Sequence, residues 1–284
     1  MSLTKALRGS AIALAVAAIV LSVGCAPEPE PAPEPKVDQP SIGKSGVFRA
    51  GVDLSMPPYA GLDGSTKAGI DVDVAAAVAE RLGLSVEYVD VVPSEAATAL
   101  AEGTVDAVFS IQIESTDLSR VTSAGTYLHT APGIFAVSTA PSTDASVTLD
   151  SLPVTTVAAQ QASPAFWLVR AEFGEENLEG FETLREALGA LSAGSFKYAV
   201  GDAVVATYIA RDFPNVRLVG QLAEATPFAV GVSAENAVLS DAVRGALDEL
   251  AADGVLDTIR RKWLGELPEL RASAASAEES PTAP

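Results

Sequence analysis

The sequence predicts an α/β protein of two lobes, each a mostly parallel sheet flanked by helices, with a ligand cleft between them. Three observations carry this expectation. Between Gly46 and Pro268, short apolar runs with strand patterning alternate with longer stretches of helical period. The first half reads β-α-β-α-β, the order that parallel strands and crossover helices produce. The same order resumes near Val154, after extended segments that separate the two units.

Each element has its own signal. Val47–Asp53 is a short apolar strand, and Asp71–Leu82 a helix whose apolar face is Val72, Val74, Ala75, Val78 and Leu82. Asp71 or Asp73 can cap that helix and Gly83 can end it. Leu84–Val92 returns to strand, Ser94–Glu102 is a helix capped by Ser94 and closed by Gly103, and Val105–Ser110 is a buried strand. In the second unit, Val154–Ala158 is a strand, and Ser163 caps a helix running to Phe173. Glu182–Leu191 is a helix, Lys197–Val200 a strand, Asp202–Arg211 a helix and Val216–Val219 a strand. Phe228–Val232 is the last strand, followed by helices near Val238–Ala252 and Leu256–Leu264. In open parallel sheets ligands lie at the carboxyl ends of strands, so the cleft between the lobes is the expected site.

Composition narrows the function. With 48% hydrophobic residues in 284, a large core can be buried. The 37 acidic residues outnumber 18 basic ones, a net charge of −19 that repels phosphate backbones and excludes general nucleic-acid binding. A single cysteine, Cys25, can form neither an internal disulfide nor a zinc cluster, and a single histidine, His129, leaves no pair for a metal. No two glycines lie two positions apart, which removes the dinucleotide fingerprint. Gly43-Lys44-Ser45 mimics the end of a P-loop, but Asp38 stands where its first glycine belongs and the segment precedes a strand. No G-x-S-x-G elbow is present. No cofactor or metal is expected, and a binding protein is favoured over an enzyme.

The N-terminus reads as an address. Lys5 and Arg8 precede an apolar run from Ala11 to Val23, shorter than the roughly 20 residues of a spanning helix. Gly24-Cys25 closes the run and resembles a bacterial lipobox, with Ser22 where leucine is usual. Cys25 is then the lipidated residue, anchoring the chain to the outer face of the cell membrane. The following APEPEPAPEPKVDQP favours an extended polyproline stalk, and ASAASAEESPTAP at the other end lacks apolar periodicity.

Several segments together resemble the family 3 extracellular solute-binding proteins, receptors of polar amino-acid ABC importers. They are Gly51-Val52-Asp53 with Pro57-Pro58-Tyr59, then Gly69-Ile70-Asp71-Val72-Asp73, and then Leu100 to Asp106. Ala199 to Asp202 and Asp253-Gly254 through Lys262-Trp263-Leu264-Gly265 follow in the same order. The resemblance implies a type II periplasmic-binding-protein-like fold. Its organisation here is a signal peptide over 1–24, a lipid-anchored linker over 25–45, lobe 1 over 46–136 and 229–268, lobe 2 over 137–228 and a disordered tail over 269–284. Ile134–Ser138 and Phe228–Val232 are the implied hinge strands. The implied partners are a small-molecule ligand, an amino acid or similar compound, and the permease subunits of an ABC importer. The protein itself is expected to be a monomer.

The same resemblance proposes site residues. Asp202 stands where the family holds the ligand ammonium, and it can also cap the helix that follows. Ser163 opens a helix whose free N–H groups suit a carboxylate. Arg120 is the available carboxylate clamp, 14 residues after Asp106 where the family uses 12 and this chain has Leu118. If Arg120 falls elsewhere, the ligand need not carry an α-carboxylate. Ser110 and Ser115 can donate nearby bonds, Tyr59 can face the ligand side chain, and Asp53 can face the cleft or satisfy its own loop. Pro93 replaces a frequent cleft aromatic, Glu95 and Glu114 would favour a cation, and Trp263 reads as packing. Two alternatives remain: an enzyme resembling cyclohexadienyl dehydratases, with Glu114 as its acid, and a surface sensor with a degenerate cleft.

Overall fold

The computed structural model describes residues 34–112, 120–138, 147–149, 152 and 155–271. Its elements all belong to the unit Pro35–Pro284 and form two sheets. The first has five strands: β1 (Val47–Val52), β4 (Ser85–Asp90), β5 (Ala107–Gln112), β6 (Val121–Thr130) and β13 (Thr226–Ser233), in the order β4-β1-β5-β13-β6. The second has six: β7 (Pro132–Val137), β8 (Val147–Thr148), β9 (Val157–Gln160), β10 (Leu178–Phe181), β11 (Tyr198–Asp202) and β12 (Val216–Gln221), in the order β10-β9-β11-β7-β12-β8. A small hairpin, β2 (Gly61–Asp63) with β3 (Thr66–Ala68), lies between β1 and the first helix.

The two-lobe reading holds, but the sheets are mixed rather than mostly parallel. In lobe 1, β1 pairs parallel with β4 and β5, whereas β13 is antiparallel to both β5 and β6. In lobe 2, β7 is antiparallel to β11 and β12. The cause is the crossover of the chain. β6 leaves the first sheet at Thr130, and after the single residue Ala131 the chain enters the second sheet as β7. It returns through 222–225 into β13. The lobes therefore exchange at Ala131 and 222–225, earlier than the expected hinge strands Ile134–Ser138 and Phe228–Val232. Ile134 already pairs with Val200 inside lobe 2, and Phe228 with Gln112 inside lobe 1. An almost unbroken extended run carries no mark of where it changes sheets.

Helices cover both sheets: α1 (Ile70–Arg81), α2 (Ala96–Ala101), α3 (Pro164–Phe173), α4 (Leu184–Ser192), α5 (Ala203–Ile209), α6 (Ala237–Ala252) and α7 (Val255–Leu264). Neither Asp71 nor Asp73 caps α1. Gly69 precedes it at φ 148°, where a Cβ would collide with the Tyr59 carbonyl. Ser94 does not cap α2 either, because a 3₁₀ turn over Pro93–Glu95 leads into it. Ser163 caps α3 as expected, accepting from the Phe166 N–H, and Thr183 with Glu186 forms a capping box on α4.

The packed body is longer at both ends than 46–268. Val37 and Ile42 are buried, and Asn236 donates to the Ser41 carbonyl at 2.8 Å. Residues 36–45 thus pack on lobe 1 rather than serving as linker. At the other end, Leu270 is buried, the Arg271 N–H donates to the Gln221 side-chain oxygen, and the Arg271 carbonyl accepts the Ala225 N–H beside the second crossover. Residues 1–33, with Cys25 and the signal segment, and 272–284 lie outside the described residues. Among the described residues no helix is long and apolar enough to cross a membrane, and no group of His, Cys, Asp and Glu is arranged to hold a metal ion.

Candidate functional site

The carboxyl ends of β5, β9 and β11 converge beside the two crossovers around a cavity of about 340 Å³. Gln112, Thr130 and Thr226 reach it from lobe 1, and Gln160, Ser163 and Asp202 from lobe 2. Pro164, Ala165, Leu184 and Val205 make its apolar wall. The volume lies in the range of small-molecule sites.

Asp202 ends β11 and caps α5. Its carboxylate accepts the Val205 N–H at 2.8 Å, the Thr130 hydroxyl at 2.7 Å and, more weakly, the Tyr59 phenol at 3.4 Å. Tyr59 belongs to lobe 1 and Asp202 to lobe 2, so this last bond joins the lobes. Tyr59 is 2% exposed, and its ring lies against Phe228 with centroids 5.0 Å apart. Burial pushes the Asp202 carboxyl above its ordinary range, against the Val205 and Thr130 bonds. Burial and the nearby Asp202 charge push the Tyr59 phenol well up, so it stays protonated and donates.

A second acid lies deeper in lobe 1. Asp71 is buried, and its two oxygens accept the Ser110 hydroxyl and the Tyr127 phenol, each at 2.6 Å. Burial raises its pKa to about 6, with the Asp53 charge adding to the rise and the two hydroxyls opposing it. Tyr127 also accepts the Ser110 N–H at 2.8 Å, which holds Ser110 at φ 56°. Ala162, directly before Ser163, sits at φ 58°. Among the described residues these are the two non-glycine positions at positive φ: Ser110 stands two residues before Gln112 and Ala162 one before Ser163, and both of those line the cavity. Such strain, on the order of 1–3 kcal/mol each, is typical of ligand clamps.

The structure thus brings Asp202 and Ser163 together at the cavity with Tyr59 bonded to Asp202, while Ser110 lies with Asp71 and Tyr127 inside lobe 1. Ser163 lines the cavity while capping α3. Ser110 does not offer its hydroxyl hydrogen to the cavity, because Asp71 takes it. Asp53 satisfies its own loop, accepting Ser55 N–H at 3.0 Å and Ser55 Oγ at 2.6 Å, and adds negative charge near Asp71.

Arg120 is not at the cavity. It is exposed, and its carbonyl accepts the Ala234 N–H at the end of lobe 1 where Val121 pairs with Ser233. β6 then runs its full ten residues before Thr130 meets Asp202. At about 3.3 Å per residue, that separates the Arg120 backbone from the site by roughly 30 Å. The two extra residues relative to the family spacing leave Arg120 where β6 starts, not where β5 ends. Ser115 and Glu114 lie outside the described residues, and Pro93 and Glu95 are exposed. Trp263 donates to Asp73 at 2.7 Å and packs, as expected.

Asp71, Tyr127 and Thr130 were not singled out as site residues by sequence. One signal was available: Asp71 lies on the buried stripe that continues through Ala75, Val78 and Leu82, an odd place for a solvated cap.

The model of the bacterial extracellular solute-binding proteins, family 3, matches residues 48–266. Among solved structures, an ancestral cationic amino acid solute binding protein is 25% identical with a TM-score of 0.64, over 77% of this chain and 96% of that one. An ancestral arginine-binding protein bound to glutamine is 27% identical with a TM-score of 0.51, over 78% and 100%. A polar amino acid ABC uptake transporter substrate binding protein from Streptococcus thermophilus is 20% identical with a TM-score of 0.68, over 83% and 92%, a likeness of fold. Comparison with curated proteins gives no match.

Proposed function

Because the chain belongs to the bacterial extracellular solute-binding proteins, family 3, we propose that it captures a small polar solute between its lobes and hands it to the permease of an ABC importer. The solute is an amino acid or a related compound, and it is bound without turnover. The fold is the two-lobe periplasmic-binding-protein fold of type II. Cys25 carries the lipid that keeps the protein at the outer face of the membrane, where it acts as a monomer.

The observation that carries this reading is the bond of Tyr59, from lobe 1, to the Asp202 that lines the cavity from lobe 2. A half-buried carboxylate shared between two lobes gives a guest ammonium a partner that only the closed form completes, which is the differential affinity lobe closure needs. Two charge-assisted bonds, each worth roughly 1.5–3 kcal/mol net, together with partial burial of the guest reach about −8 kcal/mol, or micromolar binding. The neighbours' ligands, cationic amino acids in one and glutamine in another, fit this class.

The test is calorimetry of the purified chain against amino acids, polyamines and opines, paired with small-angle scattering. Saturable heat with a smaller radius of gyration is expected. No heat, no thermal shift and no compaction with any of them defeats the proposal. Unaltered solute recovered after incubation distinguishes binding from dehydratase-like turnover.

A further inference from the structure

Resting on the reading of this cavity as the solute site, we propose that its guest is an organic cation without a carboxylate: an alkylamine or guanidinoamine rather than an amino acid. Asp202 lines the cavity and is half-buried, while Asp71 in the first turn of α1 and Asp53 just after β1 are buried in lobe 1 at 1% and 9% exposure. Among the described residues the partners of all three are hydroxyls and backbone N–H groups, not cations.

Several basic side chains are held in ion pairs elsewhere. Arg49 is paired with Asp106, Lys262 with Asp73, Arg185 with Asp212, and Arg81 with Asp253. Among the described residues no Lys or Arg lines the cavity. Arg120 stands at the far end of β6. The segment 113–119 between β5 and β6 reads IESTDLS and contains no Lys or Arg, so it supplies no clamp whatever its course.

A free carboxylate brought into this space would meet the Asp202 carboxylate and, among the described residues, no guanidinium fork. Beside the neutral Gln112, Gln160, Thr130 and Thr226 side chains it would find the N-terminal turn of α3, whose first residue is Pro164, without an N–H, and whose Phe166 N–H is already held by Ser163. A cation meets the opposite conditions. Asp202 can exchange its weak 3.4 Å phenol bond for an ammonium. Leu184, Val205 and Pro164 give the alkyl part an apolar wall.

Matched pairs that differ only in the α-carboxylate test this: agmatine against arginine, cadaverine against lysine, and putrescine against ornithine, each titrated calorimetrically into the full chain. The amine of at least one pair is expected to bind 100-fold or more tightly than its amino acid. Arginine methyl ester, which keeps the skeleton and loses the anionic charge, is expected to recover at least tenfold over arginine. Asp202→Asn is expected to weaken amine binding at least 30-fold, and the ester comparison needs no variant to fold. Amino acids binding as tightly as their amines, or a neutral amino acid such as glutamine binding more tightly than every amine, overturns the inference and leaves the solute-receptor reading standing. If no solute of either class binds or compacts the chain, the receptor reading fails and this inference falls with it.

Discussion

Asp106 and Asp202 are both acids where strands begin or end, the first buried and the second half-buried, and the chain treats them in opposite ways. Asp106, just before β5 at the base of lobe 1, lies in the Arg49 fork at 2.6 and 3.2 Å and also accepts the Gly43 and Arg49 N–H groups. The same guanidinium donates to the Gly103 and Thr104 carbonyls, tying the N-terminal segment, β1 and the β5 entry together. Asp106's bond and charge in turn raise the pKa of Arg49. Asp202, at the cleft, accepts only hydroxyls and backbone N–H groups, and burial raises its pKa. The base neutralises its acid within the fold. The cleft leaves its acid to be neutralised by a guest.

Breaking the base should have the larger effect on stability. Arg49→Ala leaves a carboxylate that is 3% exposed without its cation, and such losses cost about 3–5 kcal/mol. The midpoint of urea denaturation should fall accordingly at unchanged slope, while ligand affinity stays within about twofold. A loss below about 1 kcal/mol would mean that Asp106 is held by backbone donors alone.

The cleft should show its strain in pH dependence. The Asp71 pKa in the folded chain, about 6, lies above its ordinary 3.8, so between those values the folded state binds more protons than the unfolded one. Stability is then highest near pH 4, falls as pH rises through 6 and is flat above, a drop on the order of 3 kcal/mol from this group. The raised Asp202 pKa adds a drop of the same sign. Denaturation curves between pH 4 and 7.5 should lose most of the Asp71 share in Asp71→Asn. A wild-type curve that rises over this range would contradict the arrangement.

Asp202→Asn separates affinity from stability. Affinity for the bound solute should fall by about 2 kcal/mol, roughly 30-fold, while stability changes by less than about 1 kcal/mol, because a weaker cap offsets removal of a buried charge. Equal losses in both would place Asp202 with Asp106 as a structural acid.

The same contrast explains what was legible in the sequence. Alternating periods located β1, α1, β4, β11, α6 and α7 closely, because each buries one face against a neighbour. β6 was missed because register shifts against β13 break its alternation, so half-buried polar residues interrupt the pattern. Asp202 was legible as an acid where a strand meets a helix. Asp71 was not, because a capping and a buried aspartate look alike until the Ser110 and Tyr127 hydroxyls close on it. Arg120 failed for a related reason: chain spacing counts residues after β5 but does not say toward which end of the sheet the chain has turned.

Arg120 gives the smallest predicted effect and the sharpest separation of the two regions. Its side chain is exposed, and its fixed contact is the backbone bond from Ala234, which any residue can keep. Arg120→Ala should leave stability within about 0.5 kcal/mol and affinity within twofold, since surface changes away from packed features are small. An arginine clamping a carboxylate would instead cost tenfold or more on removal, and lysine would not replace its two parallel bonds. Calorimetry of Arg120→Ala and Arg120→Lys with the bound solute distinguishes these cases. A tenfold loss in both would show that this cation reaches the cleft when the lobes close, and the cleft would then neutralise charge from within the fold as the base does.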